Sequence, residues 1–276
     1  MKNIVGENIA RYRKDMGLTQ EEIATKLNIT CQAVSKWEKG HSSPDISLLP
    51  SLASIFSVSI DKIMGYSHNF DSRSYYEDHY NKEEYFWGVT PSTMCLKVLE
   101  LLPPTKPLKL LDIGCGEGKD AVFFARCGYS VSAFDISNAG IEKTKRLADK
   151  ANVYVDVFKA NIWDFRLEQK FDILFSSGVL HYIKPELKEE IFLNYKEYTQ
   201  TNGLNAMHCL VDKPFIREIP GKKSHSQHWK SGQLLSLYDD WYIEGCEEYV
   251  FDCHSGGVSH KHAGNRVFAR KISHLE

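Results

Sequence analysis

The chain has 276 residues, a length that suits about two domains. Apolar residues make up 42% and charged residues 25%, the balance of a globular chain rather than a disordered one. The formal charge of −2, from 34 basic and 36 acidic side chains, excludes nucleic-acid binding by bulk positive charge and leaves only a local basic face. The longest uncharged stretch, Ile46 to Ile60, has 15 residues with five serines and a proline, too short and too polar to span a bilayer. Met1 to Glu7 lacks the apolar core of a signal peptide. Seven cysteines, odd in number and without C-x-x-C spacing, argue against a disulfide framework or a thiolate zinc site. Reduced thiols and a cytoplasmic location are expected.

The first 64 residues read as short helices. Ile4, Ile9, Tyr12 and Met16 recur at helical spacing, and Gly17 stops the run. Thr19 and Glu22 form a capping box at the head of a second helix, Gln20 to Leu27. Thr30 caps a third, Cys31 to Lys39, ended by Gly40. Ser47 is expected to cap a fourth, with Pro50 in its first turn, and Ile60 to Met64 makes a fifth. Ala24, Ile29, Val34, Leu49, Leu52, Ile55, Phe56 and Trp37 are the expected core.

The run Leu18 to Ala24, followed by Ala33-Val34-Ser35-Lys36-Trp37-Glu38-Lys39-Gly40, resembles the Cro/phage-repressor (XRE) helix–turn–helix family. The resemblance implies that the third helix enters the major groove of double-stranded DNA. Gln32, Ser35 and Lys36 would then face the bases, Gln32 pairing with adenine and Lys36 reaching guanine or phosphate. Gln20 and the amides at the start of the second helix would hold a backbone phosphate. Residues 1–66 carry eight basic and seven acidic side chains, a weak charge for phosphate neutralisation. A homodimer would compensate by contacting two half-sites about 34–36 Å apart.

A polar stretch from Gly65 to Ser74 marks the joint, and residues 66–79 are read as a linker between a domain over 1–65 and one over 80–276. Beyond it, Leu108 to Ile113 reads as a strand that runs into Gly114-Cys115-Gly116-Glu117-Gly118, followed by a helix to Cys127 and a second strand from Tyr129 closed by Asp135. Strand, glycine turn, helix, strand and acid open a doubly wound nucleotide-binding sheet. A dinucleotide fingerprint would need glycine at 119, which is Lys. Glycines at 114, 116 and 118, with Asp112 two residues ahead, instead resemble the S-adenosylmethionine-dependent class I methyltransferases. That resemblance implies a Rossmann-like α/β sheet of seven strands and a site for the methyl donor. Asp112 would face its ammonium group or order the turn, and Asp135 would accept its ribose hydroxyls. Ile136 and Ile162 would flank the adenine, with Asn161 near the adenine amino group where the family usually has an acid. Cys115 in the turn and Ser177 at the end of the fourth strand complete the cofactor set.

Further strands are expected at Tyr154 to Lys159, Phe171 to Ser177, Leu204 to Val211, Trp241 to Phe251 and Arg266 to Ile272, with a helix from Pro185 to about Thr199. No [D/N]-P-P-[Y/F] or Pro-Cys motif occurs, which disfavours DNA as the methyl acceptor. Tyr85 to Ser92, Phe134 to Ser137 and His260 to Lys271 resemble the tellurite-resistance (thiopurine-methyltransferase-like) branch, whose acceptors are small soft nucleophiles or oxyanions. Arg217, with Lys222, Lys223, His225 and His228, would supply positive charge over such an acceptor, and His254 lies near the last hairpin. His181, His260 and His262 are the candidate substrate contacts. His260 and His262 would share one strand face, which suits a metal, but no third ligand is specified and none is assigned. The reading is a DNA-binding regulator fused to a small-molecule methyltransferase, with an S-adenosylmethionine- or metabolite-sensing transcription factor without catalytic turnover as the alternative.

Overall fold

A computed structural model describes residues 4–56, 58, 60–64, 72–216, 229–253 and 259–273. The chain divides into two compact units, Met1–Asp71 and Ser72–Glu276. No helix among the described residues is long and apolar enough to cross a membrane.

The first unit consists of α1 (Ile4–Asp15), α2 (Gln20–Leu27), α3 (Cys31–Glu38), α4 (Leu49–Phe56) and α5 (Ile60–Met64). The capping box is formed: the Thr19 hydroxyl accepts from the Glu22 amide, and Glu22 accepts from the Thr19 amide. Asn28 closes α2 in the left-handed region at φ 54°, and the Thr30 side chain caps α3. The expected cap at Ser47 is replaced by Asp45, whose carboxylate accepts from the Ser47 amide and opens a tight turn over Ile46–Leu48 before α4. An ionised carboxylate is the stronger acceptor, so the helix entry moves two residues upstream. Ile9, Ile23, Val34, Leu52 and Ile63 are fully buried, and Trp37 packs among them at 5% exposure. Ile29 and Ile55, expected in this core, are only partly buried and lie at its rim. Arg13 grips both oxygens of Glu38 at 2.6 and 2.9 Å, and Gln20 donates to the same carboxylate at 2.7 Å. Those bonds tie α1, α2 and α3 together across one side of the unit.

The second unit runs α6 (Ser72–Tyr80), α7 (Thr93–Leu101), β1 (Lys109–Ile113), α8 (Lys119–Arg126), β2 (Ser130–Asp135), α9 (Asn138–Lys150), β3 (Asp156–Lys159), β4 (Phe171–Ser176), α10 (Lys188–Glu197), β5 (Thr199–Val211), α11 (Gln233–Ser236), β6 (Tyr242–Cys253) and β7 (His260–Arg270). Its seven strands are ordered β3-β2-β1-β4-β5-β7-β6, the first five parallel and β7 antiparallel to both its neighbours. The all-α and α/β classes read from the sequence are therefore both present. Leu110, Ile173, Phe175, Leu204, Ala206 and Phe268 face one apolar layer, while Leu111, Ile113, Leu174, Met207 and Val267 face the other. Burial on both faces is the reason these strands read as near-continuous apolar runs.

Several boundaries differ from expectation, and three matter for the site. The joint is helical from Ser72, because Tyr76 and Tyr80, one turn apart, stack their rings at 5.5 Å and Tyr80 is buried. The helix expected from Pro185 starts as a tight turn, Pro185–Leu187, and α10 ends at Glu197 because β5 already begins at Thr199. β7 begins at His260 rather than Arg266. Its pairing with β5 ends at Ala263, whereas β6 pairs with it as far as Cys253↔His260. The last two strands thus run beyond the carboxyl edge of the parallel sheet as a two-stranded ribbon.

The arm from Asn81 to Ser92 is held across the glycine turn by a buried ion pair. The Lys143 ammonium donates to Glu117 Oε1 at 2.7 Å and to the Glu84 carbonyl at 2.6 Å. The Trp87 amide donates to Glu117 Oε2 at 3.1 Å, and both charged side chains are at most 2% exposed. Farther along, the Ser92 amide donates to Asp120 at 2.6 Å. Breaking a buried pair from one side leaves an uncompensated charge, so Glu117→Gln should cost about 3–5 kcal/mol in denaturant unfolding. Glu117→Leu combined with Lys143→Met should recover most of that stability. The double variant should nevertheless be cut faster by trypsin after Lys82, because Trp87 and Glu84 have lost their anchors.

Candidate active site

The turn Gly114 to Gly118 joins β1 to α8 with all three glycines in the left-handed region. A Cβ at Gly114 would stand 2.6 Å from Val179, and one at Gly118 would stand 2.5 Å from Thr144. The turn is therefore wedged between the loop after β4 and helix α9, and side chains are excluded by packing as well as by backbone conformation. Cys115 contributes backbone only, since its thiol packs into the apolar layer and burial pushes it well above its usual range.

Four carboxylates gather around this turn: Asp112 at the end of β1, Glu117 and Asp120 beside it, and Asp135 at the tip of β2. All four are buried. Glu117 is matched by Lys143, and Asp120 by Lys119 at 2.8 Å together with the Ser177 hydroxyl at 2.7 Å. Asp135 accepts the Gly116 amide on one oxygen and the Ser137 amide on the other, both at 2.9 Å. Burial raises its carboxyl above the ordinary range against the pull of those amides. Asp112 has the least compensation. Its Oδ2 is buried with no hydrogen-bond partner, and burial, with the Asp120 charge adding, pushes its carboxyl well above the usual range.

Four buried acids thus face only two lysines in a crevice lined by bare backbone. S-adenosylmethionine fits such a place, because its ammonium and sulfonium charges would compensate Asp112 while its methionine end lies along the glycine turn. Each Asp135 oxygen keeps a lone pair beyond its amide bond for a ribose hydroxyl. Above the turn, the Tyr80 hydroxyl accepts from Trp87 Nε1 at 3.0 Å and would stand 3.0 Å from a Cβ on Gly116. The arm therefore closes directly over the turn. Beside it, Glu77, Tyr80, Asn138 and Arg146 help line a cavity of about 240 Å³ between α6 and α9.

The remaining cofactor-side positions sit at the ends of β2 and β3. Ile136 is half-buried and Ile162 is buried at 6%. Asn161 Oδ1 accepts from the Trp163 amide at 3.0 Å, closing a local turn that leaves one oxygen lone pair and the side-chain NH₂ for a partner. In the first unit, Gln32 and Lys36 are exposed and Ser35 is half-exposed on α3, while the Gln20 side chain is engaged with Glu38.

On the acceptor side, His181 is buried in the tight turn Leu180–Tyr182 after β4, its ring 4.3 Å from that of Tyr182. Arg217, Lys222, Lys223, His225, His228 and His254 lie outside the described residues. His260 and His262 start β7, their Nε2 atoms 2.9 Å apart.

The sequence reading missed His208 on β5, which alternates onto the same sheet face as Asp112. Its ring is buried beside the Ser177 backbone and neither nitrogen reaches hydrogen-bond geometry; burial, with Arg266 adding, pushes it down to about 4. Across the strand pair, the Arg266 guanidinium lies 4.2 Å above the Tyr249 ring and donates to its hydroxyl at 2.8 Å. A histidine near the carboxyl end of the mostly apolar run Leu204 to Val211 was the available signal.

Comparison with known proteins agrees with this geometry. A helix–turn–helix family model matches residues 9–63, and the model for "Tellurite resistance protein TehB" matches residues 70–274. Hemagglutinin 1 of Eikenella corrodens is 27% identical over 177 residues, covering 63% of this chain and 57% of that protein. A probable S-adenosyl-L-methionine-dependent methyltransferase TehB from Haemophilus influenzae is 23% identical over 190 residues, covering 68% and 64%. The crystal structure of TehB from Haemophilus influenzae shares the fold, with a TM-score of 0.58 at 21% identity over 72% of this chain and 66% of that one. The chain spans less than two thirds of the length of these relatives. With most of its length matched by that one family model, the chain belongs to the TehB tellurite resistance family and carries a helix–turn–helix domain ahead of the matched region.

Proposed function

We propose that this chain is a DNA-binding regulator fused to an S-adenosylmethionine-dependent methyltransferase whose acceptor is a small, soft nucleophile, of the class that includes selenium and tellurium oxyanions and their reduced forms. The observation that carries the reading is the buried Asp112 Oδ2 without a hydrogen-bond partner, on a carboxyl whose ionised form a cationic ligand would stabilise. When bound, S-adenosylmethionine supplies a methyl group on a positively charged sulfur. Asp112 and the backbone of Gly114 to Gly118 would hold its amino-acid end, with Ser177 steadying Asp120 behind it. Asp135 and Ile136 would hold the ribose, and Asn161 and Ile162 the base. The arm with Tyr80 and Trp87 would exclude water from the methyl group.

Displacement by a soft anion requires alignment and desolvation rather than a strong base. A His208 ring held neutral suits that demand by offering an uncharged polar surface, while the Arg266 charge next to it is paired with Glu247. His181, His260 and His262 are the further acceptor-side candidates. The likeness to a probable S-adenosyl-L-methionine-dependent methyltransferase of Haemophilus influenzae supports the donor, and membership of a tellurite resistance family supports the acceptor class.

Incubating the full chain with labelled S-adenosylmethionine and a panel including selenite, tellurite and thiols should give a methylated volatile or soluble product by mass spectrometry. Donor binding without any product would favour the metabolite-sensing reading. No donor binding at all would remove both.

Asp112→Asn separates binding from stability. The folded carboxyl is raised, so its contribution to stability is full below its ordinary unfolded value and fades as pH rises through the folded one. The donor-free wild type is therefore most strained by this group at neutral and alkaline pH. The Asn variant should melt higher than wild type at pH 8, with a smaller gain at pH 5. It should bind S-adenosylmethionine at least about tenfold more weakly, as expected for losing a charged partner. Unchanged affinity by calorimetry would contradict the site.

For the first unit, selection from a random duplex pool should enrich a specific sequence. Gln32→Ala with Lys36→Ala should weaken binding to it by about tenfold or more, since a paired base contact contributes ~1–3 kcal/mol. Equal binding of variant and wild type would remove α3 as the reading helix.

A further inference from the structure

We infer that the protruding end of the β6–β7 ribbon is a metal site for a thiophilic divalent cation of the zinc class, with Cys253, His260 and His262 as ligands. The sequence places two histidines two residues apart on one strand but gives no third ligand. Strand pairing supplies it. Cys253 stands directly opposite His260 in the register, and in an antiparallel pair directly opposed residues project to the same face. His262, two residues farther along β7, shares that face. The thiol sulfur and one nitrogen from each imidazole lie within 4.8 Å of one another.

The two Nε2 atoms converge to 2.9 Å with their rings nearly perpendicular, at 84°. Without a cation, one ring must donate a proton to the other. With one, both lone pairs and a thiolate point at a single centre, the mixed sulfur and nitrogen set that zinc prefers. All three residues are half-buried, so the cation would lose much of its water without being sealed in. Three protein ligands leave a fourth tetrahedral position for water or an outside ligand.

The site also answers a structural need. Past Ala263 the ribbon loses its β5 neighbour and, among the described residues, pairs only with itself, and an isolated two-stranded ribbon is marginal in water. A cation bridging Cys253 on one strand to His260 and His262 on the other would pin that end, on the edge of the sheet where the acceptor is proposed to lie. The inference does not depend on methyl transfer and is tested without the methyl donor.

Chelator-treated full chain, desalted after exposure to Zn²⁺, should retain one equivalent of metal by elemental analysis. Co²⁺ in its place should give a near-ultraviolet thiolate-to-cobalt charge-transfer band. Cys253→Ser should lose the band, while Cys246→Ser, altering an exposed thiol elsewhere on β6, should keep it. His262→Ala should weaken the metal by more than the ~10–100-fold that follows loss of an outer-shell partner. A wild-type chain that retains no metal, or a band that persists in Cys253→Ser, would overturn the assignment. A second readout needs no variant: Zn²⁺ should shield Cys253 from alkylation in the native chain while Cys246 still reacts. Equal reactivity of the two thiols with and without Zn²⁺ would also overturn it.

Discussion

The buried ion pair between Glu117 and Lys143 is the constraint on which the architecture around the glycine turn depends. Glu117 belongs to the turn and Lys143 to α9, and between them they hold the backbone of the arm at Glu84 and Trp87. Desolvating both charges is costly, and the cost is offset only because the carboxylate and ammonium are each satisfied by further backbone partners. A hydrophobic pair of similar volume would pack as well, yet it would offer no acceptor for the Trp87 amide. The polar solution fixes where the arm lies, and so places Tyr80 over Gly116.

The crevice beneath the arm is organised around unbalanced negative charge. Asp135 is held by backbone amides and Asp120 by Lys119 and Ser177, while Asp112 keeps a buried oxygen without a partner. A fold selected for stability alone would place an amide or an apolar side chain there. Retaining the carboxylate makes sense for a ligand that carries its own positive charge, whose binding would relieve the strain. The same reasoning separates Asp112 from Glu117: both are buried acids next to the turn, but only Glu117 has a resident cation.

The helix–turn–helix unit is organised differently, by short-range bonds. Its caps lie within three residues of the groups they satisfy, and a longer-range polar knot joins Arg13, Gln20 and Glu38, with Asn8 donating to the Ile63 carbonyl. That knot engages the Gln20 side chain inside the unit and leaves the exposed residues of α3 to face outward. With near-neutral charge over residues 1–66, the proposed DNA binding would rest more on base contacts than on phosphate neutralisation.

What the sequence settled by itself was whatever is encoded within a few residues: the five short helices, the capping box, the strand–glycine–helix–strand–acid unit, and with these the family resemblances. Those signals are local because caps, left-handed glycines and apolar periodicity act over one or two turns of chain. Even so, Asp45 displaced Ser47 as a cap, since a carboxylate two residues upstream is the better acceptor. Tertiary structure alone decided which distant groups meet. Nothing near Glu117 in the chain points to Lys143, His208 reads as one of several polar residues in its strand, and Cys253 becomes a neighbour of His260 only once two strands pair in a particular register. Such meetings are set by how whole layers pack and how strands align, and no pattern along a single stretch of backbone carries that information.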